Sequence, residues 1–147
     1  AKLRAVIVLD TNVISELMRP EPDPTVIAWV AAQPRASLYT TSINRAEILY
    51  GVATLPAGRR REGLESVVQA IFSEEFAGHI LPFDSRAAEY YARIATARRM
   101  AGVRIEGFDA LIAAVTAAAG FRIATRDVGG FEGCGLEVIN PWDAVAA

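Results

Sequence analysis

Val6-Ile7-Val8-Leu9 runs without a polar residue into Asp10-Thr11-Asn12, after which Val13 and Ile14 resume the apolar pattern. A short apolar run rich in β-branched residues reads as a strand buried on both faces, here residues 5–9. Asp10-Thr11-Asn12 then supplies the cap of a short helix running to about Met18. Working outward, Arg19-Pro20-Glu21-Pro22-Asp23-Pro24 is a break, and Asp23 followed by Pro24 starts a second helix through Ala32. Ser37-Leu38-Tyr39-Thr40 reads as a strand, with Ser42 capping a helix from about 43 to 54. After the Pro56-Ala57-Gly58 loop, the pattern predicts a helix over about 59–77 and a strand at Ile80-Leu81-Pro82-Phe83. Asp84 or Ser85 caps a helix to about Ala101, and Phe108 to Ala119 is a nearly all-apolar helix stopped by Gly120. Residues 121–125 and 136–139 are the last strands. Strands alternating with helices predict an α/β fold whose parallel sheet is covered on both faces.

The chain has 147 residues and 52% hydrophobic content, enough for one core and one domain spanning 1–147. No apolar stretch is long enough to span a bilayer, and the run before Asp10 is too short for a signal peptide, so the expected location is the cytosol. The single cysteine, Cys134, excludes an internal disulfide and a multi-cysteine metal site, and reads as a buried or incidental thiol. Net charge is −2, from 15 basic and 17 acidic residues, which lacks the basic excess usual in nucleic-acid-binding domains. Setting aside four acids that belong in one site leaves 13 against the 15 bases, a mildly positive remainder.

Those four acids are Asp10, Glu47, Asp109 and Asp127. Asp10 and Asp127 follow apolar strand patterns, at the carboxyl ends where α/β sheets build sites; each also suits a cap or turn. Glu47 lies next to the buried stripe of its helix, and Asp109 heads a helix apolar almost all round. The helix dipole favours such an Asp by only about 0.3–1 kcal/mol, which explains tolerance and not need. Crowded carboxylates raise one another's pKa unless a cation offsets their charge. Hard oxygen donors suit Mg²⁺ or Mn²⁺. With His79 the only histidine, and a helix-end or surface residue by its context, serine-triad and histidine-base chemistry are disfavoured. Carboxylate-held metal activates water for phosphodiester cleavage, with Thr11, Asn12 and Thr125 placed to orient the acids.

These residues fall in segments that resemble the PIN-domain ribonucleases, specifically the VapC and FitB-type toxins of bacterial toxin–antitoxin pairs. The first segment is Val8-Leu9-Asp10-Thr11-Asn12-Val13-Ile14-Ser15-Glu16-Leu17. The second is Thr41-Ser42-Ile43-Asn44-Arg45-Ala46-Glu47-Ile48-Leu49-Tyr50-Gly51, and the third Phe108-Asp109-Ala110-Leu111-Ile112-Ala113-Ala114. Thr125-Arg126-Asp127 through Phe131, with Val138-Ile139-Asn140-Pro141-Trp142, completes the likeness. The resemblance implies a three-layer α/β/α sandwich with a mostly parallel sheet of four or five strands. It also implies Mg²⁺- or Mn²⁺-dependent RNA hydrolysis, usually in a homodimer held by a cognate antitoxin, with Asp10, Glu47, Asp109 and Asp127 on the acidic site. Many relatives carry an Asp just before the Phe of the last motif, where this chain has Gly130. Asp127 is then the fourth acid, with Glu106 the other candidate.

The expected function is thus an endoribonuclease toxin in which Asp10, Asp109 and Asp127 hold the metal and Glu47 is a ligand or lies behind the ligands. Water would attack phosphorus in line, leaving 5′-phosphate and 3′-hydroxyl ends. Arg45, Arg59, Arg60, Arg98 and Arg99 are candidates for RNA phosphate contact, against a reading as solvated helix faces. The alternative function is a PIN-like module acting mainly through a protein partner. An aspartyl-phosphate phosphohydrolase is disfavoured because Asn12 stands where a second Asp is usual and Lys2 is the only lysine. RNA target, metal count and dimer interface are not written in the sequence, although Ile14, Leu17, Ile27, Trp29 and Val30 are candidates for that interface.

Overall fold

The computed structural model describes residues 6–104 and 107–143; Glu106, the rival fourth acid, lies outside them. Five strands form one sheet: β1 (Ile7–Leu9), β2 (Leu38–Thr41), β3 (Ile80–Leu81), β4 (Arg122–Ala124) and β5 (Val138–Ile139). Their order is β3-β2-β1-β4-β5, and every neighbouring pair is parallel. Chain order therefore runs from β1 outward through β2 and β3, then returns to the other side of β1 for β4 and β5. The reversal between β1 and β4 is a topological switch point, the place where open α/β sheets leave a crevice beyond the strand ends.

Among the described residues six α-helices cover the sheet: α1 (Thr11–Leu17), α2 (Pro24–Ala32), α3 (Ser42–Ala53), α4 (Arg59–Ala70), α5 (Ser85–Met100) and α6 (Gly107–Ala119). Side chains alternate along a strand, so each face of the sheet has its own core. Ile7, Leu9 and Ala124 join Val13 and Ile14 of α1, Val26 of α2, Ile48 and Val52 of α3 and Val68 of α4. Ile123, one residue before Ala124, joins Ile94 of α5 with Ile112 and Ala113 of α6. The register explains the split: Leu9 lies beside Ala124, and Val8 beside Ile123. Helices on both faces make the three-layer α/β/α arrangement that the alternating pattern predicts.

The ends of the elements differ in detail. Thr41, not Ser42, caps α3, its hydroxyl accepting from the Ile43 and Asn44 amides at 3.2 and 3.1 Å. The helix expected over about 59–77 is α4, which widens into a π turn over Ile71–Glu75. No helix among the described residues is long and apolar enough to cross a membrane.

Candidate metal centre

β1 delivers Asp10 to the crevice. Its backbone is extended (φ −72°, ψ 163°), its amide donates to the Ala124 carbonyl at 2.9 Å, and its side chain caps α1. The cap was legible in the sequence, but it occupies only part of the carboxylate. Oδ1 accepts from the Thr11 amide at 2.8 Å and from Asn44 Nδ2 at 3.0 Å, and Oδ2 accepts from the Thr125 hydroxyl at 2.7 Å. Asp10 is only 4% exposed. Burial raises its pKa above the ordinary aspartate value; the bonds from Thr125, Thr11 and Asn44 pull it down, and the negative charge of Asp127 adds to the rise.

Glu47 reaches the same crevice from α3. Its Oε1 accepts from the Thr11 hydroxyl at 2.7 Å, and that hydroxyl in turn accepts from Asn44 Nδ2 at 3.0 Å. Glu47's pKa is also raised, first by burial and then by the charge of Asp10, with the Thr11 bond opposing. Thr125, just past β4, is fully buried and saturated: it donates to Asp10 and accepts from Asn12 Nδ2 and the Asp127 amide, both at 3.1 Å. Asn12 also accepts from the Arg126 amide at 3.1 Å, tying α1 to the loop after β4. Thr11, Asn12 and Thr125 thus all lie in one network about Asp10.

Asp127 is exposed and turns back on its own loop, its Oδ1 accepting from the Gly130 amide at 3.1 Å. A Cβ on Gly130 would stand 2.5 Å from Asp127 Oδ2 and 3.1 Å from Asp109 Oδ2. Those two oxygens are therefore no further apart than the two distances added together. Asp109, in the first turn of α6, thus meets Asp127 at the glycine that departs from the family pattern. The acids stand as two pairs, Asp10 with Glu47 and Asp109 with Asp127, joined through Thr125. Among the described residues, no three acid, histidine or cysteine side chains stand close enough round one point to hold an ion as they are.

The donor set nevertheless fits a hard cation. It is all oxygen, and Asp10 uses three of the roughly four acceptor positions of a carboxylate, which leaves one on Oδ2. A cation between the pairs would relieve the burial cost of ionised Asp10 and Glu47.

Asn44 is the functional residue that the sequence reading passed over. It is fully buried and bonds Asp10, Thr11 and Thr41, the last donating to Asn44 Oδ1 at 2.7 Å. Its signal was available: Asn44, Ile48 and Val52 recur every four residues, so an amide sits in the buried row of α3.

The arginine candidates divide. Arg98, expected as a phosphate contact, is instead buried: it is 3% exposed, and its guanidinium donates to the Glu132 carbonyl and, at 2.8 Å, to the Arg104 carbonyl. It clamps the loop ends beside α5 and has no surface to offer a phosphate. Arg45 lies two residues from Glu47, hence about 160° round the helix, and its guanidinium sits 5.9 Å from the Phe72 ring centroid on the α4 side. It does not adjoin the acids. Arg59, Arg60 and Arg99 are exposed. His79 accepts or donates at Nδ1 to the Leu38 carbonyl at 2.9 Å and stacks on Tyr39, and Cys134 is buried, with burial pushing its thiol pKa up.

Comparison with known proteins shows what the chain resembles as a whole. Residues 7–132 match the family described as PIN domain. The chain is 44% identical over 138 residues to "VapC ribonuclease Y4jK" of Sinorhizobium fredii, covering 94% of this chain and 99% of that one. It is 39% identical over 137 residues to "Toxin FitB" of Neisseria gonorrhoeae, covering 93% and 99%. Among solved structures, the crystal structure of FitAcB from Neisseria gonorrhoeae matches with a TM-score of 0.89 at 38% identity, covering 95% of this chain and 100% of that one.

Proposed function

The chain belongs to the PIN-domain family, and from that premise we propose that it is a Mg²⁺- or Mn²⁺-dependent endoribonuclease, the toxin of a type II toxin–antitoxin pair. The observation that carries the reading is the placement of two acid pairs, Asp10 with Glu47 and Asp109 with Asp127, joined through Thr125, with Thr11, Asn44 and Thr125 holding the most buried acid, Asp10. The relatives named as a VapC ribonuclease and a toxin point the same way, and solved relatives of this fold are toxin–antitoxin complexes. RNA is accordingly the substrate and a cognate antitoxin the partner of a homodimer in the cytoplasm, with residues 1–147 forming one PIN domain.

Asp10, Asp109 and Asp127 are the residues to hold the metal. When bound, a divalent cation lowers the pKa of water and offsets the charge gathering on a phosphodiester under attack. Thr125, Thr11 and Asn44 fix the orientation of Asp10 and leave one acceptor position on Oδ2 unused by them. Glu47, whose basicity is raised by burial, suits the role of taking the proton from the attacking water. Its Oε1 is anchored by Thr11, and the proton goes to the other oxygen. In-line attack on phosphorus expels the 3′ oxygen and leaves 5′-phosphate and 3′-hydroxyl ends.

The test is end-group analysis of single-stranded RNA incubated with purified protein in Mg²⁺, in Mn²⁺ and in chelator. The reading requires 5′-phosphate products that vanish in chelator and in Asp109→Asn. Cleavage indifferent to both belongs to some other activity.

A further inference from the structure

The acidic crevice has an aromatic wall that the metal chemistry does not use. A cleft of about 630 Å³ between α3, α5 and the first turn of α6 is lined by Glu47, Tyr91, Gly107, Phe108, Asp109 and Leu111. Phe108 is 47% exposed and Tyr91 37% exposed. Phe108 and Asp109 both line this cleft from the first turn of α6. Single exposed apolar residues are ordinary on a protein surface; two aromatic rings in one cleft with two acids of the candidate centre are not a scattered pair. Gly107 adds to the opening: a Cβ there would meet nothing within 4 Å, so no packing demands the glycine, and the wall beside Phe108 carries no side chain.

Charge decides what fits. Among the described residues that line the cleft, two are acids and none is a cation. A phosphate has nothing to hold it on this wall, whereas the face of a nucleobase is neutral and stacks on aromatic rings without opposing the carboxylates. Single-stranded RNA is commonly held in this way, by bases splayed onto Phe and Tyr.

We infer that Phe108 and Tyr91 form a stacking platform for one unpaired base of the RNA, next to the phosphodiester that the acids cleave. The inference rests on the ribonuclease reading. Every base has a π face, so the platform accepts any of the four and specifies that the base is unpaired rather than which base it is. It gives the enzyme a preference for loops and single strands over duplex.

The test uses the full chain carrying Asp10→Asn to stop turnover, and short single-stranded RNAs in which a 2-aminopurine is moved position by position. At one position, binding quenches the fluorophore. Phe108→Ala abolishes the quench and weakens binding about tenfold, in keeping with base–aromatic stacking; Phe108→Trp restores both, and Tyr91→Ala gives a smaller loss. An RNA abasic at that position binds the parent as weakly as the intact RNA binds Phe108→Ala. RNA binding without a quench at any position overturns the platform and leaves the ribonuclease reading standing. No RNA binding by the parent overturns the platform, and the ribonuclease reading then stands or falls on the cleavage assay with the unsubstituted protein. Unchanged RNA affinity in Phe108→Ala, with a lighter species by sedimentation, would assign the two rings to a contact between copies of the chain and overturn the platform.

Discussion

Thr125→Val removes one oxygen and keeps the shape of the side chain, which makes it a clean probe of the centre. Thr125 is fully buried, and its hydroxyl gives Asp10 Oδ2 a 2.7 Å bond while accepting from Asn12 and the Asp127 amide. A hydrogen bond to a charged group contributes about 1.5–3 kcal/mol, and the two donors that lose their acceptor belong to residues that are not fully buried, Asn12 and Asp127, so the variant should lose about 2 kcal/mol near neutral pH. For a domain of this size that is roughly 4–8 °C in Tm. The pH dependence is the sharper part. Asp10's folded pKa lies above its unfolded value because of burial. Keeping it ionised therefore costs stability above the folded pKa, and the cost lifts as pH falls through that value toward the unfolded one. Removing Thr125 raises the folded pKa further. Above both folded values the carboxyl is charged in either protein and the gap is full; below both it is neutral in either and the gap shrinks toward about 1 kcal/mol, that of a neutral bond. Urea unfolding of both proteins from mildly alkaline to mildly acidic buffer measures this directly. A gap that stays constant, or widens on acidification, refutes an ionised Asp10 held by Thr125.

Arg98→Met should destabilise by about 2–3 kcal/mol in urea, through loss of charge-assisted bonds to two carbonyls. The salt dependence of RNA binding should not change, because Arg98 is buried. Arg59→Ala/Arg60→Ala should do the reverse: stability within about 0.5 kcal/mol, and a slope of log affinity against log salt shallower by up to roughly 1.4, about 0.7 per single-strand phosphate lost. Gly130→Ala places a methyl 2.5 Å from Asp127 Oδ2, and the exposed Asp127 side chain must swing away. RNA cleavage should fall by about 100-fold, as for a catalytic group displaced by an ångström, with little change in urea midpoint.

The fold was legible where local chemistry decides it. Ile7, Val8 and Leu9 form the buried strand that their apolar run predicts, and Asp10, Asp23 and Asp84 mark helix starts that the structure keeps. Strand order was not legible, since the return of β4 to the free side of β1 is set by packing among distant helices. The acids stood out because Glu47 and Asp109 interrupt apolar helical patterns. Asn44 breaks such a pattern too, but an uncharged amide costs less to bury and so drew less notice; its partners Asp10 and Thr11 are more than 30 residues away. Arg98 misled for the opposite reason. A charged residue near a helix end is normally solvated, and only the fold brings the Glu132 and Arg104 carbonyls to it. Thr41 took the cap from Ser42 because β2 runs one residue further than its pattern suggested.

The central claim is that these acids form one cation site. Calorimetric titration of Mn²⁺ into the protein and into Asp10→Asn/Asp109→Asn, each checked for its fold by circular dichroism, tests it with no RNA present. Saturable binding by the parent, weakening as pH falls and Asp10 and Glu47 take up protons, with loss of binding in the double variant, is the predicted result. Equal binding by both proteins, or none by either, would contradict it.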